Sequence, residues 1–162
     1  MLYGAAINGH AAVVGLLLEH RADPNGGGGA FGYTALHEAA KQGYAEICTL
    51  LIDAGADIDR TAALGYTALH LAASAGRETA CDALIALGAR TDMKARNATP
   101  AGLARRRGFA ALGQRIDAMV QSRRATAAVE EVLSLGLGLG PAPSGAPESR
   151  RIQSQPGQEH AR

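Results

Sequence analysis

The chain has no tryptophan, two phenylalanines and four tyrosines, so aromatic residues make up only 4% of its 162 positions. That scarcity argues against a large aromatic-lined cofactor pocket, and no cofactor is expected. Two cysteines are too few for a disulfide scaffold and point to an intracellular, cytoplasmic setting. No basic segment precedes the first apolar stretch, which Asn8 and His10 interrupt, so no signal peptide is read there. No apolar run approaches the ~20 residues a membrane span needs, and no membrane partner is expected. Net charge is also small: 16 Lys+Arg against 15 Asp+Glu leave +1. That near-neutral total argues against a protein held to nucleic acid by bulk charge. What is plentiful is small, with 21 glycines and many alanines. Such a composition suits closely packed backbones rather than one thick core.

The small net charge hides an uneven distribution. Met1 to Asp59 carries two basic and seven acidic residues, whereas Arg60 to Val120 carries nine basic and four acidic ones. An acidic first part followed by a basic second part can orient a partner at short range, within a Debye length of ~10 Å.

The chain repeats itself. Gly32-Tyr33-Thr34-Ala35-Leu36-His37-Glu38-Ala39-Ala40 recurs as Gly65-Tyr66-Thr67-Ala68-Leu69-His70-Leu71-Ala72-Ala73, 33 positions later. The register continues through Gly43/Gly76, Cys48/Cys81, Leu51/Leu84, Ile52/Ile85 and Gly55/Gly88. One step of 34 backward, Leu2, Ala5, Ala6, Gly9 and Leu16 to Leu18 fall on the pattern. One step of 32 forward, Thr99, Pro100, Ala104 and Gly108 do so. These are four units, at about 1–25, 26–59, 60–92 and 93–120. The first lacks its opening and the last is degenerate.

Period and motif resemble the ankyrin repeat, whose core is T-P-L-H-x-A at 33 residues. Thr34-Ala35-Leu36-His37-Glu38-Ala39 and Thr67-Ala68-Leu69-His70-Leu71-Ala72 follow it with alanine in place of proline; Thr99-Pro100 keeps the proline. The resemblance spans roughly residues 1–120. It implies an all-α repeat solenoid of stacked helix-turn-helix units with short hairpin loops.

Local physics leads to the same elements. Thr34 and Thr67 suit helix N-caps. The first helix of the second unit runs Ala35 to Gln42 and stops at Gly43, which tolerates a left-handed exit. A second helix, Ala45 to Ala54, presents Ile47, Leu50 and Leu51 on one face. Each is too short to persist alone in water, where ~12–15 residues are needed, so each must bury its stripe against the next unit. Asp57 to Gly65 reads as a turn-rich hairpin.

Several residues invite a chemical reading. His37 and His70 are identical and periodic, but equivalent positions in stacked units lie about 10 Å apart, too far to share a metal with ~2 Å bonds. No Cys or carboxylate completes a ligand set, so no metal is expected. The resemblance implies that both histidines bond within the hairpin and helix layer. Cys48 and Cys81 are one unit apart, beyond the ~7 Å disulfide limit, and read as small buried residues. Gly26-Gly27-Gly28-Gly29 lacks the Gly-Lys-Ser/Thr ending of a phosphate loop and reads as a flexible hairpin insertion. No nucleophile set is evident, and repeat scaffolds present surfaces rather than catalytic pockets. No enzymatic activity and no catalytic residue are expected.

Arg105 replaces the second alanine of the Ala-Ala pair, in the run Arg105-Arg106-Arg107. A charge there suits a terminal unit with no further neighbour on that side. An anionic partner is the other reading, although nucleic acid is disfavoured because Phe109 is the one aromatic nearby. Ile7, Val13 and Val14 suggest an apolar first face, as in a stack that began further upstream. Ser122 to Leu135 reads as a separate C-terminal helix (121–135) capped by Ser122, with Ala128, Val129, Val132 and Leu133 on one side. Residues 136–162, rich in Gly, Pro, Ser, Gln and Arg, read as a disordered low-complexity tail.

The resemblance implies a non-catalytic protein–protein interaction module, monomeric, whose concave face of hairpin tips and first helices holds a partner protein. The positions that vary in the family fall on Phe31, Tyr33, Lys41, Gln42, Leu64, Tyr66, Ser74, Arg96, Arg106 and Arg107. The framework falls on Thr34, Leu36, His37, Gly43, Thr67, Leu69, His70, Gly76, Thr99, Pro100 and Gly108. Asn97 stands where the other hairpins have glycine, and Asn tolerates the left-handed region. A regulatory or targeting fragment of a larger enzyme or effector, with the remainder upstream of Met1, is the alternative.

Overall fold

Short helices ended by tight turns set the architecture. The structure is a computed structural model and describes residues 1–136. Among the described residues the order is α1 (Leu2–Ile7), α2 (Ala11–Glu19), α3 (Ala35–Gln42), α4 (Ala45–Asp53), α5 (Ala68–Ser74), α6 (Glu78–Ala86), α7 (Pro100–Arg106) and α8 (Ala110–Ser134). No strand occurs among them; isolated antiparallel bridges pair Gly27 with Thr34 and Ala95 with Ala98. The fold is an all-α repeat. Met1–Gln121 forms one compact unit, and the chain from Ser122 a second.

In the first compact unit the helices form two layers. α1, α3, α5 and α7 pack in series, as do α2, α4 and α6, and α3 and α5 also pack on their own partners α4 and α6. Leu36, Leu69, Ile47, Leu51, Leu84 and Ile85 are fully buried between them, together with the paired alanines Ala39, Ala40, Ala72 and Ala73. Alanine there lets short helices approach closely, which is why the composition is rich in small residues.

A second device recurs with the repeat. The glycine that ends the first helix of each of the first three units is covered by the side chain just before the next unit's second helix. A Cβ on Gly9 would lie 2.8 Å from Tyr44, on Gly43 2.9 Å from Arg77, and on Gly76 2.7 Å from Phe109. Among the described residues nothing covers Gly108. The loops are tied in register too: Asn25 Nδ2 donates to the Gly55 carbonyl (3.1 Å), and its Oδ1 accepts from the Asp57 N–H (2.7 Å). One unit on, Asp59 accepts from the Arg90 N–H at 2.8 Å.

Three expectations need correction. There is no separate helix at 121–135. α8 runs unbroken from Ala110 to Ser134, with Ser122 in its interior rather than at its cap. Between Gln114 and Leu135 the sequence has neither glycine nor proline and is rich in Ala, Arg and Glu, so nothing stops the helix. Val14 is not part of an exposed face; it is fully buried, and the exposed apolar residues nearby are Val13 and Leu16. Nor is the four-glycine run merely a flexible insertion. The loop crosses Tyr3 so closely that a Cβ on Gly28 would lie 2.7 Å from the Tyr3 Cβ, and one on Gly29 2.5 Å from its hydroxyl oxygen.

The described part of the second compact unit is the last half of α8, exposed almost throughout. Thr126 donates to the Ser122 carbonyl one turn back (3.0 Å), and the helix leaves through Gly136 in the left-handed region. The tail expected at 136–162 lies, from residue 137 on, outside the described residues.

Candidate functional site: the hairpin row and first helices

Each site element starts from the threonine that begins a first helix. Thr34 and Thr67 are extended N-caps. The backbone N–H of each donates to Nδ1 of the histidine three residues on, at 3.2 Å for His37 and 3.3 Å for His70. The hydroxyls sit 2.9 and 2.8 Å from the same nitrogens. His37 Nε2 faces the carbonyls of Arg60 (3.0 Å) and Tyr66 (3.2 Å). His70 Nε2 faces those of Met93 (3.1 Å) and Ala98 (3.2 Å).

This geometry fixes the protonation state. Carbonyls only accept, so Nε2 carries the proton; a backbone N–H only donates, so Nδ1 is bare and the hydroxyl donates to it. Both rings are therefore neutral. Burial pushes the pKa of each below the ordinary histidine value, and the carbonyl bonds at Nε2 oppose this only in part. Each histidine ties its own helix start to the hairpin of the following unit. Thr99 keeps the cap, accepting from the Gly102 N–H (3.2 Å), but Gly102 stands where a histidine would be. Leu36, Leu69 and Pro100 are buried beside these caps, whereas Gly43, Gly76 and Gly108 take the left-handed exits.

The hairpins held in this way form a continuous row. A Cβ on Gly32 would lie 3.8 Å from Ala62, and one on Gly65 3.3 Å from the Lys94 carbonyl, so successive hairpins touch. The second and third turn through three residues, with the Ala62 N–H donating to the Tyr66 carbonyl at 2.8 Å in the latter. The fourth is one residue shorter, Ala95 and Ala98 exchanging bonds of 2.9 and 3.0 Å around Arg96-Asn97. That lost residue accounts for the 32-residue step.

The tips are unusual in backbone and exposure together. Phe31 (φ 63°) and Leu64 (φ 65°) occupy the left-handed region, as does Arg96 (φ 51°) at the same place in the fourth hairpin. Phe31 is 75% exposed and Leu64 61%. A bulky apolar side chain is disfavoured both in that conformation and in that much water. Tyr33 and Tyr66, half-buried, lean on the histidine rings with centroids 5.7 and 6.0 Å apart.

The remaining positions lie on the first helices. Lys41 is exposed and 3.9 Å from Glu38; Gln42 and Ser74 are half-buried, and the Ser74 hydroxyl donates to its own helix at Leu71 (3.0 Å). Arg106 and Arg107 are exposed at the end of α7, while Arg105 pairs with Asp117 on α8. α8 closes tightly here: a Cβ on Gly113 would lie 2.9 Å from the Ala101 carbonyl. Arg115 binds Asp82 of α6 through both carboxylate oxygens, at 3.0 and 2.6 Å.

Sequence reasoning missed two residues. Glu38 is a carboxylate only 5% exposed, accepting from the Tyr3 hydroxyl at 3.2 Å. Its signal was a charge where the next units have Leu71 and Leu103, together with tyrosine in the histidine place of the first unit. Lys94, exposed beside Arg96, was the other. Cys48 and Cys81 are free and buried, and burial pushes both thiols up to about 12. Among the described residues no three His, Cys, Asp or Glu side chains converge as metal ligands. No described helix is long and apolar enough to cross a membrane.

A family model described as ankyrin repeats (3 copies) matches residues 2–97. The chain belongs to the ankyrin repeat family. Such repeats are generally protein–protein interaction modules and typically non-catalytic.

Proposed function

We propose that this chain is a non-catalytic module that holds a partner protein on the surface made by its hairpin tips and first helices, the concave face of an ankyrin stack. The observation that carries the reading is the pair Phe31 and Leu64, large apolar side chains held exposed on left-handed backbone at neighbouring tips. Folding gains nothing from either feature, whereas a docking surface gains from both: fixed direction and apolar area on a rigid turn. Tyr33 and Tyr66, braced against histidines, are pre-ordered anchors of the type enriched at interface centres. Lys41, Gln42, Ser74, Arg106 and Arg107, at the far ends of the same first helices, extend the proposed surface.

Position-specific photo-crosslinking in host lysate tests this. A benzophenone amino acid at position 31 or 64 should capture one discrete protein, unchanged by nuclease, and the same group at exposed Asp53 on α4 should not. Equal capture from both places, or capture abolished by nuclease, contradicts the reading.

A further inference from the structure

We infer that the hairpin row accepts a protein segment in which apolar side chains are followed by acidic ones, the apolar residues meeting Phe31 and Leu64 and the carboxylates meeting Lys94 and Arg96. The inference rests on the docking reading above and adds the chemistry and direction of the occupant. Hairpin contacts at Gly32 and Gly65 make the three tips one uninterrupted strip. Along it the tip residue changes from Phe31 to Leu64 to Arg96 at equivalent, left-handed positions. Lys94 and Arg96 are both exposed, and neither has an ion-pair partner among the described residues. The acid nearest in sequence, Asp92, is bound by Arg90 (2.8 Å). Two cations without an ion-pair partner among the described residues, beside two exposed apolar tips, define a strip whose complement is apolar at one end and acidic at the other.

Spacing sets the register. Stacked units repeat at about 10 Å, and an extended chain advances about 3.3 Å per residue, so one unit corresponds to about three residues. The fitting segment has two apolar residues three apart and an acidic residue about three further on.

Fluorescence anisotropy on the full chain tests this with a labelled synthetic peptide of that pattern, leucines at the apolar places and aspartates at the acidic ones. Replacing the aspartates by asparagine, the leucines by serine, or reversing their order should each weaken binding about tenfold. Added salt should weaken the aspartate peptide alone. Lys94→Gln/Arg96→Gln should bind aspartate and asparagine peptides alike, and Phe31→Asn/Leu64→Asn should lose the leucine preference; unchanged circular dichroism shows that both variants fold. If the asparagine or reversed peptide binds as tightly as the original, the inference fails. It also fails if a homopolymeric RNA competes equally with either leucine or serine peptides, because charge alone is then being read. If no peptide binds while crosslinking from positions 31 and 64 still captures a protein, the inference fails and the docking reading stands. If both experiments fail, both are overturned.

Discussion

The third and fourth units use one plan with different endings, and the contrast shows what the repeat motif does. In the third, Thr67 and His70 close a cap whose outer edge reaches carbonyls of the following hairpin. In the fourth, Thr99 still caps its helix, but glycine replaces histidine at position 102. Ala73 is sealed in the core, whereas its counterpart Arg105 is exposed and paired with Asp117. Gly76 lies under Phe109, whereas nothing among the described residues covers Gly108. The threonine cap belongs to the first helix of its own unit and recurs at the starts of α3, α5 and α7, whether or not another unit follows. Histidine, alanine and covered glycine belong to the junction with another unit and lapse where the described stack ends.

That division can be attacked at each level. The largest effect is expected at the histidine. His70→Ala leaves two carbonyls and a buried N–H without their partner and opens a cavity, costing about 2–4 kcal/mol in urea denaturation. Next comes glycine: Gly76→Ala meets Phe109 as well as a left-handed backbone and should cost about 2–3 kcal/mol. Gly108→Ala meets only the backbone term, about 1 kcal/mol. Equal losses at the two glycines would remove the distinction between junction and end.

Acid is a milder probe of the same junctions. Both histidines fold neutral with lowered pKa values, so below the unfolded value near 6.5 the unfolded chain takes up protons that the folded chain refuses. Stability is then full above about pH 6.5 and falls as the pH drops towards the folded values. The slope is at most about 1.4 kcal/mol per pH unit for each histidine. His70→Gln should flatten the curve measured between pH 7 and 5. Smallest of all, Arg105→Ala breaks an exposed ion pair and should change stability by less than about 1 kcal/mol.

Much of this contrast was legible in the residues. Period, caps and helix stops for the interior units are local signals, and α3 runs from Ala35 to Gln42 as its cap and glycine dictate. The histidine partners were not legible, because they are main-chain carbonyls 23 to 29 residues away and leave no side-chain trace. α8 was misread at Ser122, since serine caps a helix only where the preceding chain is not already helical. The glycine run was misread because its cause, the ring of Tyr3, lies in another unit. At the candidate site, Phe31 and Leu64 were legible as varying positions, but their left-handed backbone was not. It depends on hairpin geometry that glycine at the next residue only hints at.

If Phe31 and Leu64 serve docking at the expense of folding, one double variant reveals both sides of that exchange. Asparagine tolerates the left-handed region far better than phenylalanine or leucine and exposes little apolar area. Stability and crosslinked partner capture (from a probe at Tyr33) would be measured together for Phe31→Asn/Leu64→Asn and the parent chain. The variant should be about 1 kcal/mol more stable and capture at least about tenfold less partner. A variant that is less stable, or that captures partner as well as the parent does, would contradict that exchange.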